Sequence, residues 1–187
     1  MRVFSFRPAL RLKGRKFKGL RGWAGKPFHP PLTDFPVAAY VLAAAFDVIS
    51  AAGGGKPWAR DFFLAGSYVL VGGLVVSVLA ALTGFWDWWR SSQKGTQARR
   101  TINAHAWIMI TVTVLALADT LLRVSADKAA AHTPAAELVL SIVAALLVSL
   151  GATYGGSLVY DYGFNVETAG DHPVWHVSET DVFPGDH

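Results

Sequence analysis

The sequence predicts an all-α protein, a four-helix transmembrane bundle with up-down-up-down topology and both termini in the cytoplasm. Hydrophobic residues make up 52% of the 187 residues. Charged residues make up 16%, against about 25% in typical soluble domains. The charges leave four long uncharged stretches, and Lys and Arg collect on one side of them. This composition excludes a disordered chain, and it argues against a nucleic-acid-binding protein in spite of the net charge of +4.

Four stretches are long and apolar enough to cross a bilayer. A membrane-spanning helix needs about 20 mostly apolar residues. No Asp, Glu, Lys or Arg occurs between Asp34 and Asp47, in residues 62–86, in residues 102–118 or in residues 138–160. With polar residues at the ends allowed to lie at the interfaces, we predict spans at 34–52, 62–86, 103–123 and 136–160.

The distribution of basic residues predicts the orientation of these spans. Nine of the 17 Lys and Arg residues precede Pro27, and four more follow the second span. Only four lie in or beside the other two loops. Because cytoplasmic loops are enriched in Lys and Arg, both termini are expected in the cytoplasm.

The chain is predicted to have three parts. Residues 1–26 form a basic cytoplasmic segment, which either binds anionic lipid or only anchors the topology. Residues 27–166 form the transmembrane domain. Residues 167–187 form an acidic cytoplasmic tail without Lys or Arg.

Several chemistries lack the residues that they need. The chain contains no cysteine, which excludes disulfides, thiolate-held iron–sulfur clusters and cysteine nucleophiles. It has no Gly-x-Ser-x-Gly, no phosphate-binding loop and no His-Glu-x-x-His. Whether the protein is an enzyme stays open. A transporter is disfavoured, because no clear internal repeat or broken helix is evident in the sequence.

At the predicted outer side, three ionisable residues are expected to form a structural ion pair. Asp119 and Arg123 lie four residues apart, so they share one face of the third helix in the favourable order of acid before base. Asp47, at the end of the first span, reaches Arg123 if the first and third helices are in contact.

At the predicted cytoplasmic side, two histidines are candidate ligands. His29 and His105 each lie at the start of a span, and these two spans run in the same direction, so the imidazoles lie at similar depth. Two imidazoles can provide the axial ligands of a b-type haem or two ligands of a metal ion. Asp87 and Arg99 would then hydrogen-bond the second ring nitrogens or pair with haem propionates. Alternatively, each histidine hydrogen-bonds or caps the start of its own helix.

The end of the fourth span provides a further candidate residue on the predicted cytoplasmic side. Tyr160 ends that span on the same side as the histidines, so we include it among the candidate cofactor-binding residues. Gly155 and Gly156 precede it and allow another helix or a cofactor to approach closely.

Six local motifs together resemble a known membrane family. They are His29-Pro-Pro-Leu-Thr-Asp-Phe-Pro36, Asp47, Leu82-Thr-Gly-Phe-Trp-Asp87, Ala98-Arg-Arg100 through His105, Arg123, and Gly155-Gly-Ser-Leu-Val-Tyr160. In order and spacing they are similar to the bacterial and archaeal family called domain of unknown function 2231, over about residues 27–166. Asp34 stands where that family commonly has a second histidine.

The resemblance implies a multi-pass domain of a bacterial or archaeal plasma membrane, sometimes found beside Rieske or other redox modules, and it implies no reaction. Two functions stay open. One is a redox-associated accessory that binds b-type haem, or lies near a quinone, and works with membrane redox proteins. The other is a non-catalytic scaffold or assembly partner, as a homo-oligomer or with other proteins.

Overall fold

The computed structural model describes residues 19–21 and 27–166, and these residues form four helices. They are α1 (His29–Gly53), α2 (Pro57–Ser91), α3 (Gln97–Ser125) and α4 (Ala135–Tyr160). Each predicted span lies within one helix. The described residues contain no strand beyond an isolated bridge between Arg21 and Pro27. The rest of the predicted basic segment and the predicted acidic tail lie outside the described residues.

The first helix begins earlier than its predicted span. Prolines occupy the first turn of α1, where the backbone N–H groups have no partner within the helix in any case. The helix therefore includes His29. At its other end Gly54 adopts a positive φ of 55° and ends the helix. The ring of Trp58 packs against Gly53, where a Cβ would lie only 2.7 Å from the ring.

The turn between α2 and α3 is held by side chains. Thr96 caps α3 by accepting a hydrogen bond from the backbone N–H of Arg99 at 3.2 Å. The guanidinium of Arg99 donates to the carbonyl oxygens of Trp88 at 3.0 Å and Ser92 at 3.4 Å. It also lies 3.8 Å above the Trp88 ring. Arg99 thus satisfies the free carbonyl groups at the end of α2.

The helices form a square bundle. α1 packs against α2 and α4, and α3 packs against α4 and α2, so α1 and α3 stand on opposite corners. Neighbouring helices are antiparallel, since the start of α1 contacts the end of α2 and the start of α3 contacts the end of α4. The observed topology is therefore up-down-up-down, as predicted. The core contains seven buried residues: Tyr40, Ala43, Leu70, Val112, Ala116, Ala144 and Val148.

The outward faces of the bundle are apolar. Large side chains such as Val75, Leu82 and Leu146 are more than half exposed. All four helices have the length and hydropathy of membrane spans, with mean hydropathies of 1.8, 2.2, 1.7 and 2.2. A helix that is apolar on all sides suits a lipid environment.

The bundle contains an internal repeat that sequence inspection did not reveal. The two helical hairpins, α1–α2 and α3–α4, bury equivalent positions. An offset of 76 residues (29 to 105) relates α1 to α3, and an offset of 71 residues (80 to 151) relates α2 to α4. All six buried positions of α4 correspond to buried positions of α2. On α3, the four buried residues from Val112 onward correspond to buried residues of α1.

Side-chain chemistry follows the same repeat at both ends of the bundle. His29 corresponds to His105, and Asp47 corresponds to Arg123. Because α1 and α3 run in the same direction, the hairpins are related by an approximate two-fold axis along the bundle. The repeat lies in burial and hydrogen bonding, while the amino acids themselves have diverged, so no clear repeat is evident in the sequence.

Candidate functional site

The imidazole of His29 is fixed against α2. Its Nδ1 lies 2.9 Å from the carbonyl oxygen of Ala80 and 3.2 Å from the hydroxyl of Thr83. A carbonyl oxygen can only accept, so this bond assigns the proton to Nδ1. Gly84 leaves room for the ring, since a Cβ there would lie 2.7 Å from His29 Cε1.

His105 makes the equivalent contact with α4. Its Nδ1 lies 2.8 Å from the carbonyl oxygen of Gly151. A Cβ on Gly155 would lie 3.3 Å from His105 Cε1. Each histidine therefore donates to a carbonyl of the next helix, and in each case a glycine follows four residues after that carbonyl.

The second ring nitrogens of the two histidines face no donor. Among the described residues, the hydrogen bonds of His29 and His105 all involve Nδ1. With the proton on Nδ1, each Nε2 presents a lone pair. The two rings lie close enough to interact electrostatically. The structure thus brings together two imidazoles with the tautomer that metal-bound histidines adopt when a backbone carbonyl orients them.

Asp87 closes this end of the bundle. It is buried on α2, four residues after Thr83 and hence on the same helix face. Its Oδ1 accepts a hydrogen bond from the backbone N–H of Leu20 at 3.1 Å, and the side chain of Asn165 lies near it. Asp87 therefore ties the segment before α1 to the end of α2, beside the loop after α4.

The other predicted residues lie apart from the imidazoles. Arg99 bonds the end of α2, as described above, and Tyr160 is 88% exposed. Asp34 is also exposed. The Nδ1 atoms bond backbone carbonyls and, for His29, the hydroxyl of Thr83, rather than Asp87 or Arg99. Within the described residues, His29 and His105 are the two of the five predicted cofactor-binding residues whose side chains are near enough to interact electrostatically.

At the opposite end, Arg123 joins two carboxylates. Its Nε donates to Asp119 Oδ1 at 2.7 Å, and its Nη2 donates to Asp47 Oδ2 at 2.6 Å. Nη1 adds a bond to Asp47 Oδ1 at 3.1 Å, so the contact with Asp47 is bidentate. All three side chains are at most 2% exposed. The pair spans the diagonal of the bundle from α1 to α3.

Hydroxyl groups complete this buried cluster. Ser67 accepts from Arg123 Nη1 at 3.1 Å, and Thr133 donates to Asp47 Oδ1 at 3.0 Å. Ser50 accepts from the backbone N–H of Thr133 at 2.9 Å and donates to the carbonyl of Ala59 at 2.7 Å. The cluster thus joins α1, α2 and α3 to the loop before α4.

Sequence reasoning missed both the carbonyl partners and these hydroxyl groups. Single serines and threonines in apolar helices carry no specific signal. The recurrence of histidine and glycine at fixed offsets would have pointed to Ala80 and Gly151, since Gly84 and Gly155 differ by the same 71 residues as the two carbonyls. Asp47 and Arg123 are also 76 residues apart. Because their charges are opposite, comparison of residue types does not identify them as equivalent positions.

The described residues contain no group of three or more His, Cys, Asp or Glu side chains able to hold a metal ion. Two imidazoles are nevertheless enough to act as the two axial ligands of a haem iron, whose other ligands belong to the porphyrin.

Comparison with known proteins identifies a matching family. The sequence profile of a family described as "Predicted membrane protein (DUF2231)" matches residues 25–168, which include all four helices and both polar clusters. No curated protein and no solved structure matches the chain.

Proposed function

This chain belongs to the DUF2231 family of predicted membrane proteins, and on that premise we propose that it is a redox-associated membrane accessory that binds b-type haem between His29 and His105. The observation that carries the proposal is the pair of Nε2 atoms, at equivalent positions of the two hairpins, to which no described residue donates a hydrogen bond. We place this end of the bundle at the cytoplasmic side, because Lys and Arg are concentrated there in the sequence.

The donor set fits a metalloporphyrin. Each imidazole is oriented by its Nδ1–H bond to a backbone carbonyl, which fixes the tautomer and keeps Nε2 available. The two imidazoles come from helices on opposite corners of the bundle, and together they would hold the haem iron. A bound haem would supply one-electron transfer at this place. The chain itself supplies the two ligands, and Asp87 ties the segment before α1 to the same end of the bundle.

The same tautomer argues against direct binding of an oxidised quinone. A quinone carbonyl needs hydrogen-bond donors, but the available Nε2 atoms are acceptors. A quinol hydroxyl could donate to Nε2, so the quinone alternative applies to the reduced form. Partner redox proteins in the membrane would then exchange electrons with the site.

A scaffold is the second candidate function, and a specific observation favours it. Both imidazoles already hold neighbouring helices together, α1 to α2 and α3 to α4, through bonds of 2.9 Å and 2.8 Å. These bonds require no ligand. If stability of the bundle is their only role, the polar motifs serve to assemble a partner or homo-oligomer surface.

An absorption spectrum of the purified protein separates the two candidates. We expect protein prepared in detergent from haem-replete cells to show a Soret band, and His29→Ala and His105→Ala to lose it. His132→Ala is the matched control, because His132 is an exposed histidine in the α3–α4 loop and should leave the band unchanged. All variants are compared by gel filtration, so that loss of haem is scored only in folded protein.

A colourless wild-type protein that stays haem-free after reconstitution with haemin would overturn the haem proposal. If His29→Ala and His105→Ala then unfold at lower temperature than His132→Ala, the scaffold function is supported instead.

A further inference from the structure

One carboxylate at the Arg123 end of the bundle is buried without a hydrogen-bond partner. Glu137 lies in the first turn of α4 and is 0% exposed. Among the described residues, neither its Oε1 nor its Oε2 makes a hydrogen bond of good geometry, and the donor near the carboxylate is the backbone N–H of Glu137 itself. An ionised carboxylate that lacks both water and donors is strongly destabilised, so such a group binds a cation or keeps its proton.

Another acid lies close to Glu137. The side chain of Asp127, in the loop after α3, is near enough to interact with it. Two carboxylates side by side repel each other, whereas one proton between them lets one carboxyl group donate a hydrogen bond to the other. Neither acid can donate unless it is protonated.

The charges around this pair do not neutralise it. Asp119 is the third acid near enough to interact with Glu137. Arg123 is the buried cation of this end, and Asp119 and Asp47 already occupy its donors. From α2, Arg60 donates to the backbone carbonyls of Ala130 and Lys128 rather than to a carboxylate. The described charged groups at this end of the bundle are Asp47, Lys56, Arg60, Asp61, Asp119, Arg123, Asp127, Lys128 and Glu137.

The equivalent position in the first hairpin has no side chain where Glu137 has a carboxylate. Its equivalent on α2 is Gly66, where a Cβ would lie 3.1 Å from Asp47 Oδ1. In the first hairpin, Gly66 thus leaves space beside Asp47. In the second hairpin, the side chain of Glu137 occupies the equivalent position. The Arg123 cluster is satisfied without Glu137, so packing of the ion pair does not explain the residue.

We propose that Glu137 and Asp127 form a carboxyl pair that shares one proton, and that this pair is a proton-binding site at the Arg123 end of the bundle. The proton rather than a metal ion is the occupant, because the described residues offer no group of three or more His, Cys, Asp or Glu side chains for a metal ion. Proton uptake forms one O–H bond on one carboxyl group and lets it donate to the other. Release leaves two carboxylates facing each other. The site is separate from the two imidazoles and does not depend on the proposed haem.

Infrared spectroscopy of the full-length protein tests the site directly. We expect wild-type protein at neutral pH to show the carbonyl-stretch band of a protonated carboxylic acid, shifted in D₂O. The band should disappear as the pH rises and should be absent from Glu137→Gln. The amide of glutamine imitates a protonated acid in size and in hydrogen bonding, so this variant should fold. Asp61→Asn is the matched control, since Asp61 is an exposed acid at the same end and its replacement should leave the band in place.

A second variant and a titration with metal cations test the same proposal independently of the Glu137→Gln infrared data. Asp127→Asn should remove the pH dependence of the band even if Glu137→Gln fails to fold. The proposal is wrong if wild-type protein shows no such band, or if the band persists in both variants. It is also wrong if Ca²⁺ or Na⁺ raises the unfolding temperature of the wild type saturably and this effect is lost in Glu137→Gln, since a metal ion would then be the occupant.

Discussion

Replacing Arg123 with methionine should destabilise the bundle far more than replacing any exposed arginine. The guanidinium bonds Asp47 and Asp119 at 2.6 Å and 2.7 Å, and both carboxylates are at most 1% exposed. Arg123→Met would leave two buried carboxylates without their cation. Removal of one partner from a buried ion pair costs about 3–5 kcal/mol. Since about 1.4 kcal/mol corresponds to a tenfold change, the unfolding equilibrium should shift by at least about a hundredfold.

The free energy of unfolding can be measured in mixed micelles by denaturant titration, with tryptophan fluorescence as the signal. Arg100→Met is the matched control, because Arg100 is exposed and its guanidinium, within the part of the chain that the structure describes, bonds only the side chain of Gln97. It should change the free energy of unfolding by no more than about 0.5 kcal/mol. The triple variant Asp47→Asn, Asp119→Asn, Arg123→Met removes the whole set of charges and should recover most of the loss.

Two outcomes would refute this reasoning. If Arg123→Met unfolds as Arg100→Met does, the carboxylates are not both ionised in the folded protein. If the triple variant is as unstable as the single one, the loss comes from packing of the Arg123 side chain and not from charge.

Two further predictions concern the histidine end and the orientation. Gly84→Ala places a methyl group 2.7 Å from the present position of His29 Cε1, so it should displace the ring and lower the thermal unfolding temperature. Gly156→Ala is the control and should change this temperature little, because its Cβ would meet one atom at 4.0 Å. Equal effects of the two variants would show that His29 is not fixed by Gly84. For the orientation, the natural chain has no cysteine to interfere. A membrane-impermeant thiol reagent added to intact cells should label Gly55→Cys. It should label Lys94→Cys only after the cells are permeabilised. The opposite pattern of labelling would reverse the assigned orientation.

The helices were predictable because uncharged stretches of that length have few alternatives in a membrane. The Asp119–Arg123 contact was also predictable, since it is set by helix geometry alone. Contacts between helices were harder to predict from the sequence. Asp47 contacts Arg123 because α1 and α3 face each other across the bundle. From the sequence, this contact could be predicted only on the condition that the first and third helices meet. The carbonyl partners of His29 and His105 are backbone atoms, so no residue type identifies them.

Other differences arise from the ends of the helices. Arg99 precedes His105 closely in the chain but points back to the end of α2, because the carbonyl groups there have no partners within the helix. Tyr160 ends α4 on the correct side of the bundle but faces outward, since one residue of a helix turns the side chain by about 100°. Chain position therefore predicts depth along the bundle better than it predicts the direction of a side chain.

The opposite charges of Asp47 and Arg123 have a consequence for assembly. A symmetric dimer of α1–α2 hairpins from two molecules would bring two Asp47 carboxylates together at the centre, and a dimer of α3–α4 hairpins would bring two guanidinium groups together. Only a mixed pairing, one hairpin of each kind, joins Asp47 to Arg123, whereas Arg123 keeps Asp119 of its own helix in every pairing. We therefore expect exchange of hairpins between molecules to favour reciprocal swaps, because these restore the contact of Asp47 with Arg123.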